Sequence, residues 1–346
     1  MKIAFIVNDV ATEPENYTTP KLAFAALKRE HDVYFLGVGD LAYYSEGCMG
    51  GRARKIPVKK YKSTKSMMEA MKAAEPTRVV DSELDVIFLR NNPSDDMIDR
   101  PWATNAPLIF GQIAIKNGCI VVNDPRSLSN AMNKMYFQHF PEKIRPRTII
   151  TRNKDEIMDF YLSQKKKIVM KPLQGSGGTN VFLLDAKSEK NMNQMIDAIN
   201  RDGFIIAQEY LPEASEGDIR LFVVNGHALC VDGKYAAMRR RNNSGDVRSN
   251  IHAGGKPERV KVDDTILDLV KVVRPKLLQD GMFMVGLDIV GDKLMEINVF
   301  SPGGLNLLSQ MEEVDFTTEV IRNLEDKAYY NSIYDRSIEN KLASML

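Results

Sequence analysis

Short apolar runs separated by amphipathic stretches dominate the first third of the chain. Ile3-Ala4-Phe5-Ile6-Val7 stops at Asn8-Asp9, a helical pattern covers Lys21 to Lys28, and a second apolar run follows at Val33 to Leu36. This is a β-α-β opening, which predicts a parallel sheet. Val86-Ile87-Phe88-Leu89 and Ile120-Val121-Val122 repeat the strand pattern on either side of a predicted helix, Ala106 to Lys116. Residues 1–123 therefore read as one α/β domain. Within it the tract Glu46 to Tyr61, with Gly47, Gly50 and Gly51 beside Arg52, Arg54 and Lys55, predicts an exposed, mobile loop.

From Pro125 a predicted helix carrying Asn133, Lys134 and Phe137 leads through Pro141 and Pro146 to a strand at Thr148-Ile149-Ile150. That proline-punctuated passage marks the first domain boundary. Residues 124–217 alternate strand and helix: Lys154 to Ser163 is a helix capped by Asn153, and Ile168 to Lys171, Val181 to Leu184 and Ile205 to Tyr210 are strands. The pattern is an α+β sandwich. Residues 218–330 open with strands at Leu221 to Val224 and Ala228 to Val231, split by the hairpin pair Asn225-Gly226. A helix from Thr265 to Gln279, interrupted by Pro275, and a final hairpin follow, and residues 331–346 form a C-terminal tail.

The 346 residues are 44% hydrophobic and 27% charged, which excludes a disordered or fibrous chain. With 47 basic and 46 acidic side chains the net charge is +1, so no nucleic-acid partner is expected. Cys48, Cys119 and Cys230 are far apart and read as free thiols. The first apolar run is too short for a signal-peptide core or a membrane span, so a reducing, cytoplasmic setting without a membrane partner is expected.

The segment Val285 to Val299 is two apolar strands around Gly291-Asp292, and its register can be tested on paper. Residues opposite one another in an antiparallel pair share a face, and a shift of one residue exchanges the faces. A two-residue loop would set Leu287 against Glu296 and Asp288 against Met295. A three-residue loop, Gly291-Asp292-Lys293, sets Val285, Leu287 and Ile289 against Val299, Ile297 and Met295, with Asp288 facing Glu296 and Gly286 facing Asn298. The second register is predicted because it separates polar from apolar side chains. Oxygen ligands so gathered suit Mg2+ held together with substrate phosphates. The competing reading, a solvated polar face, leaves two acidic groups facing each other without a cation.

Lys171-Pro172-Leu173-Gln174-Gly175-Ser176-Gly177-Gly178 runs from an apolar strand into a glycine-rich loop that could wrap phosphate oxygens. It has neither P-loop spacing nor a following helix, and a tight strand-to-strand turn fits it equally well. Arg239-Arg240-Arg241 opens a basic, polar segment reaching Asn250 and Gly254-Gly255. It reads as a solvated loop, less well as a nucleic-acid patch, or as a lid carrying arginines to a polyphosphate.

Taken in order, these segments resemble the ATP-grasp ligases, and specifically bacterial glutathione synthetases, from Met1 to about Leu324. The resemblance rests on Phe88-Leu89-Arg90 before Pro93, Lys171-Pro172-Leu173 with Gly177-Gly178, and Tyr210-Leu211-Pro212. It continues through Gly217-Asp218-Ile219-Arg220 and Val285-Gly286-Leu287-Asp288 with Glu296-Ile297-Asn298-Val299-Phe300-Ser301-Pro302. It implies an ATP-grasp fold behind an N-terminal α/β parallel-sheet domain.

On this resemblance Asp288, Glu296 and Asn298 would hold Mg2+, or Mn2+ in its place, against ATP. Lys134 and Lys171 would contact its phosphates, and the loop from Gly175 through Ser176, Gly177 and Gly178 to Asn180 would fold over them. Glu209, Tyr210 and Leu211 would form the adenine hinge, and Asp218 and Arg220 would begin the catalytic strand. Arg220 with Arg239 or Arg241 would stabilise the transferring phosphoryl group. Arg90 would take a substrate carboxylate, and Asn250, Gly254 and Gly255 would line the acceptor side. The free N–H groups of the turn at Ser301, Gly303 and Gly304 could also bind a carboxylate. The implied reaction joins a dipeptide acid to an amino acid through an acyl phosphate, in a cytoplasmic dimer or tetramer.

The chain departs from the family where substrate is expected. Gly303-Gly304-Leu305-Asn306 stands where a threonine and an Arg-Glu pair are expected, and Asn91-Asn92 where Lys-Asp is common. A ligase with a different acid or amine, and a nucleotide-binding module without catalysis, are therefore the competing readings.

Overall fold

The predicted β-α-β opening forms from β1 (Lys2–Val7), α1 (Thr18–Lys28) and β2 (Asp32–Gly37), with β1 and β2 parallel. The structure, a computed structural model, describes residues 1–175, 178–241 and 256–346. β3 (Leu41–Tyr43), β4 (Met49–Lys55), α2 (Thr64–Ala73), β5 (Thr77–Val80), β6 (Val86–Leu89), α3 (Pro93–Asp96), α4 (Ala106–Lys116) and β7 (Ile120–Val122) complete this region. The sheet order is β3-β4-β2-β1-β6-β7, with β5 pairing with β4. The β2-β1-β6-β7 part is parallel.

The tract from Glu46 to Tyr61 corrects the loop expectation, since it contains β4, paired antiparallel to β2, β3 and β5. Its glycines serve close packing. A Cβ on Gly50 would lie 2.0 Å from the Val79 carbonyl oxygen, and one on Gly51 would lie 2.3 Å from that of Asp40. After β7, α5 (Pro125–Asn130) ends early, and Lys134 begins a separate 3-10 segment, Lys134–His139.

The next sheet has the order β10-β9-β11-β8, all antiparallel, from β8 (Thr148–Thr151), β9 (Ile168–Pro172), β10 (Phe182–Leu184) and β11 (Ile205–Glu209). α6 (Lys154–Ser163) and α7 (Met192–Asn200) cover it. The Asn153 side chain accepts from the Asp155 and Glu156 amides, as its cap position requires. Ile157, Tyr161, Ile168, Met170, Ile196 and Ile205 give this sheet a core of its own.

The third sheet, β17-β16-β12-β18-β19, carries the site. Its strands are β12 (Asp218–Val224), β16 (Ala237–Arg241), β17 (Lys256–Arg259), β18 (Met284–Val290) and β19 (Lys293–Asn298). Asn225 and Gly226 turn β12 into β13 (His227–Ala228) with positive φ at both positions, as a two-residue hairpin loop demands. The strand expected through Val231 breaks there, and β14 (Cys230–Val231) pairs instead with β15 (Lys234–Tyr235). α8 (Asp264–Gln279) runs unbroken through Pro275. Pro275 lies on the exposed face, where water can satisfy the carbonyl that loses its helical donor.

The first and third sheets share continuous cores, in which Phe5, Phe35 and Phe88 cluster with Phe222 and Phe283. The Asn123 side chain joins the two by donating to the Met284 and Val299 carbonyls and accepting from the Met284 amide. α9 (Leu305–Glu312) and α10 (Phe316–Ile333) follow, and the chain ends with α11 (Asn340–Ala343). No described helix is long and apolar enough to cross a membrane.

The tail is a tie between elements. The Asn340 side chain accepts from the Val121 amide at 2.8 Å and donates to the Val121 carbonyl at 2.9 Å, closing the edge of β7 as another strand would. The Arg336 guanidinium donates to the carbonyls of Gly118, Ser82 and Leu84 at 3.1, 2.9 and 2.6 Å. Asn340→Ala leaves two buried backbone groups of Val121 without partners, and a loss of about 2–4 kcal/mol is expected in urea denaturation.

Candidate active site

Strand register brings the polar residues together. Asp218 lies opposite Arg240, Arg220 opposite Asp288, Asp288 opposite Glu296, and Gly286 opposite Asn298. Opposed residues share a face, so these side chains project from one side of the sheet while Leu221, Leu287 and Ile289 enter the core on the other. Gly286 has no side chain because Arg220 crosses it: an added Cβ would meet Arg220 Cδ at 3.2 Å and Pro302 Cβ at 3.0 Å.

The three-residue hairpin register holds at this end of the pair and fails at the turn. Val290 pairs with Lys293, so the turn is the two-residue Gly291-Asp292, with φ +57° at Gly291. The surplus residue is absorbed as a bulge at Met295, between the Asp288/Glu296 and Ile289/Leu294 pairs. Both paper registers therefore occur, one at each end of the hairpin. The bulge places Met295 in a cavity wall.

Asp288 is the electrostatic centre. Its carboxylate accepts from Arg220 Nε and, at 2.9 Å, Arg220 Nη2; Arg240 Nη2 lies at 3.0 Å and Asn298 Nδ2 donates at 3.2 Å. Burial by itself would raise the carboxyl, but the two guanidinium groups hold it well below the usual carboxylate range. Arg240 also pairs with the buried Asp218 through both Nε and Nη2. Two arginines and two aspartates thus form a buried quartet without net charge.

This corrects the arginine assignment. Arg239 and Arg241 were the expected phosphate contacts, yet strand alternation points both to the opposite face, where they meet Glu216 at 3.6 Å and Glu258 at 3.9 Å. Arg240 is the one that reaches Asp288. Asp218, expected beside nucleotide, is its partner.

A cavity of about 190 Å³ lies in front of the row, lined by Lys134, Lys171, Arg220, Glu296 and Asn298, with Ile206 and Met295 among its apolar contacts. Lys134 Nζ donates to the Gly175 carbonyl at 2.5 Å, and Lys171 Nζ to Gln208 Oε1 at 3.3 Å. Burial pushes both ammonium groups down, partly offset by the nearby Glu296 carboxylate. Glu296 acts on both lysines and Asp288 on Lys171 as well, and the two desolvated ammonium groups facing one cavity suit a polyphosphate. Gln208 and Ile206 were missed from sequence, although period-2 alternation along β11 places both on the face opposite Ala207 and its core.

The remaining expected residues divide. Gly175, Ser301 and Gly303 line the cavity, whereas Glu209, Tyr210 and Leu211 do not. The Glu209 carboxylate accepts from the Arg147 amide at 2.8 Å, and Lys167 Nζ sits 3.7 Å from the Tyr210 ring centre. Gly178 lies in the turn after the glycine loop and Gly304 at the N-cap of α9. Ser176, Gly177, Asn250, Gly254 and Gly255 lie outside the described residues. Arg90 is buried, does not line the cavity, and donates to Thr19 Oγ1 and to the Pro302 carbonyl.

The donor set fits a hard divalent cation. Asp288, Glu296 and Asn298 offer oxygen from one face, and the Asn298 amide nitrogen is engaged by Asp288 and the Gly286 carbonyl, which leaves its oxygen as the end available to an ion. Among the described residues, no group of three histidine, cysteine or acidic side chains gathers into a further metal cluster.

Comparison with known proteins identifies the family. Residues 1–129 match the family model for the prokaryotic glutathione synthetase N-terminal domain, and residues 133–313 match that for the prokaryotic glutathione synthetase ATP-grasp domain. The glutathione synthetase of Brucella melitensis is 31% identical over 90% of this chain and 94% of its own length. That of Gloeobacter violaceus is 31% identical over 93% of this chain and 95% of its own. Among solved structures, the D-cycloserine synthetase DcsG superposes with a TM-score of 0.60 at 12% identity, covering 93% of this chain and 99% of its own. The ATP-grasp ligase PsnB with minimal precursor, Mg and ADP gives a TM-score of 0.59 at 15% identity, covering 94% and 98%. These two likenesses show a shared fold.

A pH dependence follows from Glu13, whose carboxyl is pushed up by burial from 4.5 to about 7 despite Arg90 and Lys72. Between those values the folded chain keeps a proton that the unfolded chain has released. Stability from this group therefore falls as pH rises from 4.5 to about 7 and is level above. Thermal midpoints measured across this range should show a shallower decline in Glu13→Gln than in the wild type.

Proposed function

The chain belongs to the prokaryotic glutathione synthetase family and is an ATP-dependent carboxylate–amine ligase; we propose that its acid is γ-glutamylcysteine, its amine glycine and its product glutathione. The observation that carries the ligase chemistry is the cross-strand row Arg220, Asp288 and Glu296, with Asn298 beside it, facing Lys134 and Lys171 over one cavity, and the family match supports the choice of acid and amine. We place the protein in the cytoplasm, as a homo-oligomer of two or four chains.

In the first step an oxygen of the cysteinyl carboxylate attacks the γ-phosphorus of ATP. The bond from that phosphorus to the bridging oxygen breaks, and ADP leaves with the electron pair. The glycine amine then attacks the acyl carbon, phosphate departs, and the amine proton is released. Both steps move negative charge, so fixed cations matter more than a nucleophilic side chain. Lys134 and Lys171 hold the phosphates and Arg220 faces the oxygens of the transferring group, while Arg240 holds Asp288 in place from β16. Asp288, Glu296 and Asn298 would hold Mg2+, with Mn2+ as a substitute ion, and the bound ion would supply charge neutralisation at the phosphate oxygens. The acyl phosphate must be kept from water. The four-stranded sheet around β9 and β11, with its separate core, suits a cover that closes as a unit.

The test is coupled ADP release from ATP, Mg2+ and γ-glutamylcysteine, with and without glycine. Glycine-dependent turnover and a product of tripeptide mass are expected. Turnover only with another acid or amine would mean that the pocket near Asn91 and Gly303 takes different substrates. Asp288→Asn and Glu296→Gln should each lower kcat by about 10²-fold or more with the fold retained, since each removes charge from the reacting row. Arg240→Ala should do likewise, while Arg239→Ala and Arg241→Ala should stay within about three-fold of wild type because both point away.

A further inference from the structure

Lys134 stands between two cores of the fold. Its segment, the 3-10 turn Lys134–His139, packs Tyr136, Phe137 and Phe140 into the core that also holds Leu277 and Met282. Yet the Lys134 amide donates to the Leu173 carbonyl at 3.1 Å and its ammonium to the Gly175 carbonyl, both in the loop that leaves β9. β9 belongs to the four-stranded sheet, whose core is separate. Residues three apart share a face of a 3-10 turn, so Tyr136, two residues on, reaches in another direction.

The Tyr136 hydroxyl donates to Asp280 Oδ2 at 2.8 Å, and Lys276 Nζ donates to Asp280 Oδ1 at 3.0 Å. Tyr136 is 4% exposed and Asp280 7%. Burial and the Asp280 charge push the phenol up, which keeps it the donor of the pair. Its ring meets Phe140 edge to face at 5.5 Å, so packing fixes its direction as well. Asp280 is itself a fixed point. It closes α8 at the C-cap, and at Gly281, with φ +61°, a Cβ would lie 3.0 Å from both Asp124 Cβ and Lys341 Cα. β18 then begins at Met284 and carries Asp288 into the site. Asp280 and Lys276 do not line the cavity, whereas Tyr136 and Lys134 do.

We propose that Tyr136 and Asp280 are positioning residues for ATP: with Lys276 they tie the Lys134 segment to the end of α8, and so anchor Lys134 over the cavity independently of the loop after β9. A cation meets phosphate without reorganisation only if the residues behind it hold its direction. The Tyr136 hydroxyl is engaged by Asp280, so it acts through Lys134 and not on the nucleotide. This rests on the reading of Lys134 as a phosphate contact.

The probe is the non-hydrolysable ATP analogue AMPPNP with Mg2+, whose binding is measured by calorimetry and needs no acid or amine. Tyr136→Phe keeps the ring and removes only the hydroxyl, and its Kd should rise about ten-fold, as loss of a hydrogen bond to a charged group implies. Asp280→Leu should match it, while Asp280→Asn, whose carboxamide oxygen still accepts, should stay within about three-fold of wild type. In a Lys134→Met background Tyr136→Phe should weaken binding no further, whereas a purely structural role would weaken both backgrounds equally. Wild-type binding by Tyr136→Phe, or an equal loss in both backgrounds, would overturn the proposal. If Lys134→Met itself binds as the wild type does, the phosphate reading of Lys134 fails and this inference with it. If Lys134→Met weakens binding and Tyr136→Phe does not, the inference alone fails. Should Asp280→Leu not fold, Tyr136→Phe, the smaller change, decides.

Discussion

One buried carboxylate, Asp288, organises the face on which the site is built. A lone ion at 5% exposure would be expelled or neutralised, and it persists because Arg220 and Arg240 reach it from the adjoining β12 and from β16, one strand beyond. Arg240 carries Asp218 with it, so charge is balanced inside the sheet. The same carboxylate is the central candidate ligand for a cation. Arg220 is already oriented on Asp288 at the cavity, so little side-chain movement is needed for it to meet negative charge there.

A second constraint is the seam between the first and third sheets. Shared aromatic packing joins them, with Phe88 and Phe283 edge to face at 5.7 Å, and the Asn123 side chain stitches β7 to β18 through backbone groups. Arg90 adds a tie from the end of β6 to the Pro302 carbonyl, and the Asn340 side chain seals the edge of β7 from the far end of the chain. The seam is therefore held by packing and by hydrogen bonds that require defined geometry. The sheet of β8 to β11 has its own core, and its rigidity is internal.

Much of the fold was legible because period and turn chemistry agree. The apolar runs of β1, β2, β6 and β7 admit only buried parallel strands, Asn225-Gly226 permits the positive φ values of its turn, and Asn153 caps α6 as read. The misreadings share a cause. Gly50 and Gly51 look like loop residues until the Val79 and Asp40 carbonyls are seen pressed against them. Pro275 looks like a helix stop until its exposed position in α8 is known.

For the candidate site, the sequence alone determined that Asp288, Glu296 and Asn298 share a face, because alternation within a hairpin is local. Tertiary structure decided what depends on neighbours distant in the chain. Pairing of β16 with β12 selected Arg240 from three consecutive arginines, since a shift of one residue reverses the face. A bulge reconciled two hairpin registers and turned Met295 to the cavity. The convergence of α1 and α9 on Arg90 spans 71 residues to Thr19 and 212 to Pro302, distances at which no sequence period carries information about contact.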